Sequence, residues 1–168
     1  MIYLDPRIDD PLDQGDIVDN CPLLSLKRYD RDELEPPEIG VAPSRVLVLT
    51  QTCDLVNRMA STATVALAFD AQVLVDQGVV KPADIRGPIR AGRVYGWYFL
   101  PENTELGIPE KMLVDLRQLH SVRLDLLMAL CNRGQRRAQL QSPYREHLAK
   151  HFADTYSRIG LPEPYETQ

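Results

Sequence analysis

Apolar residues in this chain come in short runs that end abruptly in polar clusters, rather than in long periodic stretches. The clearest run is Val46-Leu47-Val48-Leu49, which passes through Thr50 into Gln51-Thr52-Cys53-Asp54. Unbroken aliphatic residues over so few positions predict a strand buried on both faces. Its polar end predicts the place where that strand reaches a surface. Thr62–Phe69 reads as a second strand from its β-branched and apolar content, ending at Asp70. Val94–Leu100 and Lys111–Leu116 read as two more, the first densely aromatic and stopped by Pro101. Gln14-Gly15-Asp16 is a turn that feeds a strand through Ile17-Val18 toward Leu23–Leu26. Between them, Asp30–Pro43, with Pro36-Pro37 and clustered acids, reads as an exposed loop, and residues 71–93 as an excursion with a short helix before Gly78.

The pattern changes near the C-terminus. Leu124, Leu127, Met128 and Cys131 recur at helical spacing, with Ser121 placed to cap and Gly134 to stop. A second helix starts at Ser142-Pro143 and carries Tyr144, Leu148, Phe152, Tyr156 and Ile159 along one stripe, until Gly160 and Pro162 end it. Short strands followed by helices predict an α+β fold, a small bent antiparallel sheet or barrel with the helices on one side. The expectation is a single domain over 1–168: a β-rich part at 14–122 with an excursion at 71–93, then two helices within 123–160.

Composition adds little: 168 residues, 44% hydrophobic and 26% charged, suit an ordinary globular core. No run approaches a membrane span, the first ten residues lack the basic start of a leader, and three widely spaced cysteines argue against a disulfide framework. Together these predict a cytoplasmic protein without a membrane partner. The charge distribution is more telling than the net charge of -5. Residues 1–40 hold eleven Asp/Glu against four Lys/Arg, and residues 116–158 hold eight Lys/Arg against three Asp/Glu. The basic end either neutralises the acidic one or faces phosphate. Arg133, Arg136, Arg137 and Arg145 are its densest cluster and the candidate nucleic-acid contacts.

Two catalytic constellations can be drawn from the polar strand ends. Metal-independent cleavage of RNA needs a base, an acid and a cation, roles that His120, Asp54 or Asp70, and Arg45 match by chemistry. Cys53 with His120, oriented by Asp54 or Gln51, would instead make a cysteine hydrolase. Both require separate strand ends to deliver their groups to one cleft, with Arg45, Thr50, Cys53, Asp54, Asp70 and His120 as the candidate catalytic residues. His147 and His151 stand four apart, but two ligands make no stable metal site and no CxxC pair is present. No cofactor motif is found.

Gly15-Asp16-Ile17-Val18, Arg45–Thr50, Thr64–Ala68 and Val114–Val122, with Gln118-Leu119-His120-Ser121-Val122, resemble the strand order of the MazF/PemK family. The resemblance implies an SH3-like barrel, a homodimer, and action on single-stranded RNA. Gln14 and His120 stand where that family has arginines. The implied role is therefore a nucleic-acid-directed module, either a divergent metal-independent endoribonuclease or its non-catalytic remnant. The alternatives are a protein-interaction subunit of a larger assembly and a hydrolase centred on Cys53.

Overall fold

The computed structural model describes residues 1–28, 38–56 and 61–157. Its strands are β1 (Tyr3–Leu4), β2 (Asp16–Arg28), β3 (Glu38–Val48), β4 (Thr62–Asp70), β5 (Trp97–Leu100), β6 (Met112–Arg123) and β7 (Arg136–Leu140). Its helices are α1 (Thr52–Val56), α2 (Ala71–Asp76), α3 (Pro82–Asp84), α4 (Leu124–Asn132) and α5 (Tyr144–Tyr156). The strands form one open antiparallel sheet in the order β1-β7-β2-β3-β4-β6-β5. The α+β expectation holds.

The sheet is strongly curled. Every strand sends a residue into one inner core: Tyr3, Ile17, Leu47, Ala66, Leu100, Met112 and Leu140. α5 lays Leu148 into the same core, with Phe152 against it. The edge strands β1 and β5 share no ladder, but the Tyr3 hydroxyl donates to the Pro101 carbonyl at 2.7 Å, so the curl brings the two edges together. On the opposite face, Val46, Val48, Ala63, Val65 and Val122 pack against Leu124, Leu127 and Cys131 of α4. α4 and α5 thus lie on opposite faces rather than on one, because each neighbouring residue of the buried strands faces a different core. Val46 and Leu47 are both fully buried for that reason.

Several sequence expectations need correction. Glu38–Pro43 is strand rather than loop: it pairs with β2 from Leu23↔Ala42 to Arg28↔Glu38, forming a long two-stranded ribbon. The aromatic strand is shorter than Val94–Leu100, because Gly96 takes a left-handed φ of 84° and Trp97 starts the pairing. Ser121 belongs to β6 and does not cap α4, whose N-cap position is Arg123. The segment 123–160 holds not two helices alone but also β7, inserted between β1 and β2. Part of the expected acidic loop (29–37), the end of the last helix at Ile159, Gly160 and Pro162, and the tail lie outside the described residues.

Gly15 sits at the hub of the sheet. Its N–H donates to the Val48 carbonyl at 2.9 Å and its carbonyl accepts from Leu140 N at 3.1 Å. A φ of 88° and the Leu140 side chain 2.9 Å from where a Cβ would stand leave room for glycine only. No described helix is long and apolar enough to cross a membrane.

Candidate functional site

The polar end of β3 is a clasp centred on a residue that sequence reasoning passed over. Asp13, in the turn before β2, accepts hydrogen bonds from its neighbour Gln14 N (2.7 Å), from Gln139 Nε2 (2.8 Å), from Arg145 Nη1 (2.7 Å) and from the Thr52 hydroxyl. Gln14 Nε2 donates to the Leu49 carbonyl at 2.7 Å, and Asp13 N donates to Asp16 Oδ2 at 2.7 Å. One carboxylate therefore joins the start of β2 to α1, β7 and α5. Its lone pairs are taken up by the protein itself, which is the pattern of a structural clasp rather than of a general base.

The arginine cluster follows the same logic. Arg136 meets Asp16 at 2.8 Å with both side chains nearly inaccessible, at 4% and 0% exposure. The contact is close but poorly aligned, leaving Asp16 Oδ1 and Arg136 Nε and Nη2 without a true hydrogen bond. Burial pushes the Asp16 carboxyl up to about 7, against the lowering influence of Arg136. Arg137 Nε donates to Asp19 at 2.7 Å, and Arg145 pairs with Asp13. Three of the four arginines are thus committed to acidic residues of the N-terminal segment, and Arg133 is left exposed. The charge asymmetry between the chain's two ends was the signal for this pairing.

The candidate catalytic residues fall into two groups. Arg45 and Asp70 line a pocket of about 530 Å³ with Asp19, Asn20 and Phe69. Arg45 is held there by Asp19, through Nε at 2.5 Å and Nη2 at 3.0 Å, and by the Gly107 carbonyl at 3.1 Å. Burial pushes the Asp19 carboxyl up, but the bonds from Arg45 and Arg137 outweigh it and hold the group below its usual range. Thr50, Cys53 and Asp54 lie past the C-terminal end of β3, Thr50 roughly 16 Å along the chain from Arg45 at about 3.3 Å per residue. Thr50 Oγ1 accepts from Thr64 N at 2.7 Å.

His120 joins neither group. It pairs with Val65 on β6 and so shares the face that α4 covers, whereas Arg45 contacts Met112 of the inner core. The imidazole makes no hydrogen bond with a described residue, and among the described residues the polar contacts of Cys53 Sγ are Gln51 Oε1 and Asp54 Oδ1, both at 3.7 Å. Among the described residues no three His, Cys, Asp or Glu side chains are placed to hold a metal. The exposed Cys53 is expected to be alkylated first in the folded protein, because Cys21 and Cys131 are buried and burial raises both thiols, Cys131 to about 11. Peptide mapping after brief iodoacetamide treatment checks this. Cys53→Ser should leave stability within about 0.5 kcal/mol.

A second concavity, of about 610 Å³, lies between β5, α5 and the turn at 89–92. β5 is a sheet edge, and α5 covers it: His151 Nε2 lies 3.0 Å from the Trp97 carbonyl, and the Tyr98 hydroxyl donates to the Tyr144 carbonyl at 3.0 Å. Burial pushes the Tyr98 phenol up to about 12. Trp97, from the densely aromatic strand, lines this cavity. No family model matches the chain, and comparison with curated proteins gives no match.

Proposed function

We propose that this protein is an interaction subunit that associates with a second copy of itself through the β2–β3 ribbon. The observation that carries this reading is an uncovered aliphatic face. Leu24, Leu26, Ile39 and Val41 are 67%, 64%, 61% and 63% exposed. They are directly opposed as Leu24↔Val41 and Leu26↔Ile39, so all four project from one side of the ribbon. Four adjoining aliphatic side chains form a patch of roughly 300–400 Å², the scale at which exposed apolar surface marks an interaction site.

A second copy fits this face best. It carries no charge among its four residues for a partner to neutralise, and two-fold stacking sets one Leu–Val pair over the other copy's Leu–Ile pair. The resemblance to a dimeric barrel family points the same way. In this proposal the curled sheet is a relative of the SH3-like barrel, open between β1 and β5. A divergent ribonuclease is the second reading, supported by the pocket that joins Arg45 to Asp70; RNA cleavage lost in Arg45→Ala would put it first.

Sedimentation equilibrium tests the proposal. The wild-type chain should be dimeric, and Leu24→Lys with Val41→Lys should be monomeric and still folded, losing the concentration dependence of the unfolding midpoint that dimerisation gives the wild type. A wild-type monomer at the highest usable concentration, or a dimer indifferent to these lysines, sinks it.

A further inference from the structure

We propose that the cavity between β5 and α5 binds a small planar aromatic anion of the nucleotide class, of which a free nucleoside monophosphate is the simplest member. This goes beyond the ribbon interface, which contributes no residue to the cavity. A volume of about 610 Å³ falls within the range of small-ligand sites, roughly 300–1,000 Å³.

Its walls offer three kinds of contact at once. Tyr98 and Tyr144, on the α5 side of β5, and Phe99, on its other side, supply rings at the two walls against which a planar base can stack. Arg90 supplies positive charge. Its guanidinium lies 6.0 Å from the Phe99 ring centroid and has no acidic partner among the described residues. That sets it apart from Arg136, Arg137 and Arg145, each bound to a carboxylate of its own chain. Lys150 is already paired with Asp154 at 2.7 Å, so among the described side chains that line the cavity Arg90 is the arginine or lysine open to a phosphate. The third contact comes from His151. A carbonyl oxygen can only accept, so the ring nitrogen facing Trp97 O carries the proton, and Nδ1 of the neutral imidazole is an acceptor. That acceptor suits a ribose hydroxyl or an exocyclic amine.

Other ligand classes use the site less completely. An apolar molecule would leave Arg90 unanswered, and an inorganic anion would leave the rings bare. A nucleoside monophosphate engages both.

The test uses the full chain and its single tryptophan, Trp97, which lines the cavity. Adenosine monophosphate, adenosine and inorganic phosphate are titrated separately against Trp97 fluorescence, with calorimetry as a second readout. The monophosphate should bind saturably and about tenfold tighter than either fragment, as one charge-assisted contact allows. Arg90→Gln should bring the monophosphate down to the affinity of adenosine while leaving the unfolding midpoint alone, because Arg90 is exposed. Absence of a saturable response to the monophosphate overturns the proposal, as does undiminished binding by Arg90→Gln. A single-stranded oligonucleotide that binds with steep salt dependence while the monophosphate does not would overturn it in favour of backbone recognition.

Discussion

Arg136→Ala is expected to cost the fold about 3–5 kcal/mol, the range found when one partner of a buried ion pair is removed. Arg136 and Asp16 lie 2.8 Å apart at 4% and 0% exposure, so water cannot replace the lost guanidinium. Arg136 Nη1 also donates to the Asp10 carbonyl at 2.9 Å, a contact that goes with it. The loss carries a pH signature. With Asp16 at about 7 when folded, and about 4 when unfolded, the native state holds a proton that the unfolded chain has released. Stability contributed by this group therefore declines as pH rises from about 4 toward about 7, by up to about 1.4 kcal/mol per unit, and levels off above. Removing Arg136 removes an influence that lowers the Asp16 value. In the variant the decline must then continue past neutrality, and the gap from wild type should widen above about pH 7. Urea unfolding between acid and alkaline pH measures this, with Asp16→Asn in the Arg136→Ala background as the control that flattens the extra slope. A loss below about 1 kcal/mol, or a gap that does not change with pH, would show that the pair is not the buried charge contact described.

Leu148→Ala should come next, at about 2–5 kcal/mol. Leu148 is fully buried and is the residue by which α5 enters the inner core shared by all seven strands. Besides Phe152 against the core, what remains to hold the helix is polar: Arg145 to Asp13, Tyr98 to the Tyr144 carbonyl, His151 to the Trp97 carbonyl, and the Tyr156 hydroxyl to the Leu116 carbonyl at 2.7 Å. Such bonds contribute about 1 kcal/mol each and are easily exchanged for water. Amide exchange should accelerate across Tyr144–Tyr156 before it does in β3 or β4, and the Trp97 emission should shift as the cavity loses a wall. Leu148→Met keeps the volume and should cost under about 1.5 kcal/mol. Equal exchange in α5 of wild type and Leu148→Ala would mean that the helix is held by something other than this side chain.

The parts of the fold that were legible in the sequence are those whose residues are determined locally. Val46–Leu49 is buried on both faces, Thr62–Phe69 buries Ala63 and Val65 on one face and Ala66 and Ala68 on the other, and both announce themselves by their apolar and β-branched content. α4 and α5 show helical spacing because each buries one stripe. β7 was not legible, since of Arg136-Arg137-Ala138-Gln139-Leu140 only Ala138 and Leu140 are apolar. Its polar positions are satisfied by Asp16, Asp19 and Asp13, more than a hundred residues away in sequence, and no local pattern records such a partner. The ribbon was hidden for a different reason: Gly40, Ala42 and Pro43 read as loop residues, and its register comes entirely from β2. The polar knot after β3 was found, but its organiser was not. Asp13 has an unremarkable neighbourhood in sequence and gains its role only when Thr52, Gln139 and Arg145 converge on it. For the candidate chemistry, strand order decides the outcome. Antiparallel pairing carries Asp70 back alongside Arg45 and leaves Thr50 and Cys53 beyond the C-terminal end of β3.

The pairing of β1 with β7 has a consequence for synthesis. Tyr3 and Leu4 meet Leu140 and Gln139, and Asp13 waits for Gln139 and Arg145. A chain emerging from the ribosome must therefore carry Tyr3 and Leu4 without a strand partner until Gln139 and Leu140 have been made. Such long-range closure slows folding, and during synthesis β1 joins the sheet only after β7, the last strand of the sheet to be made.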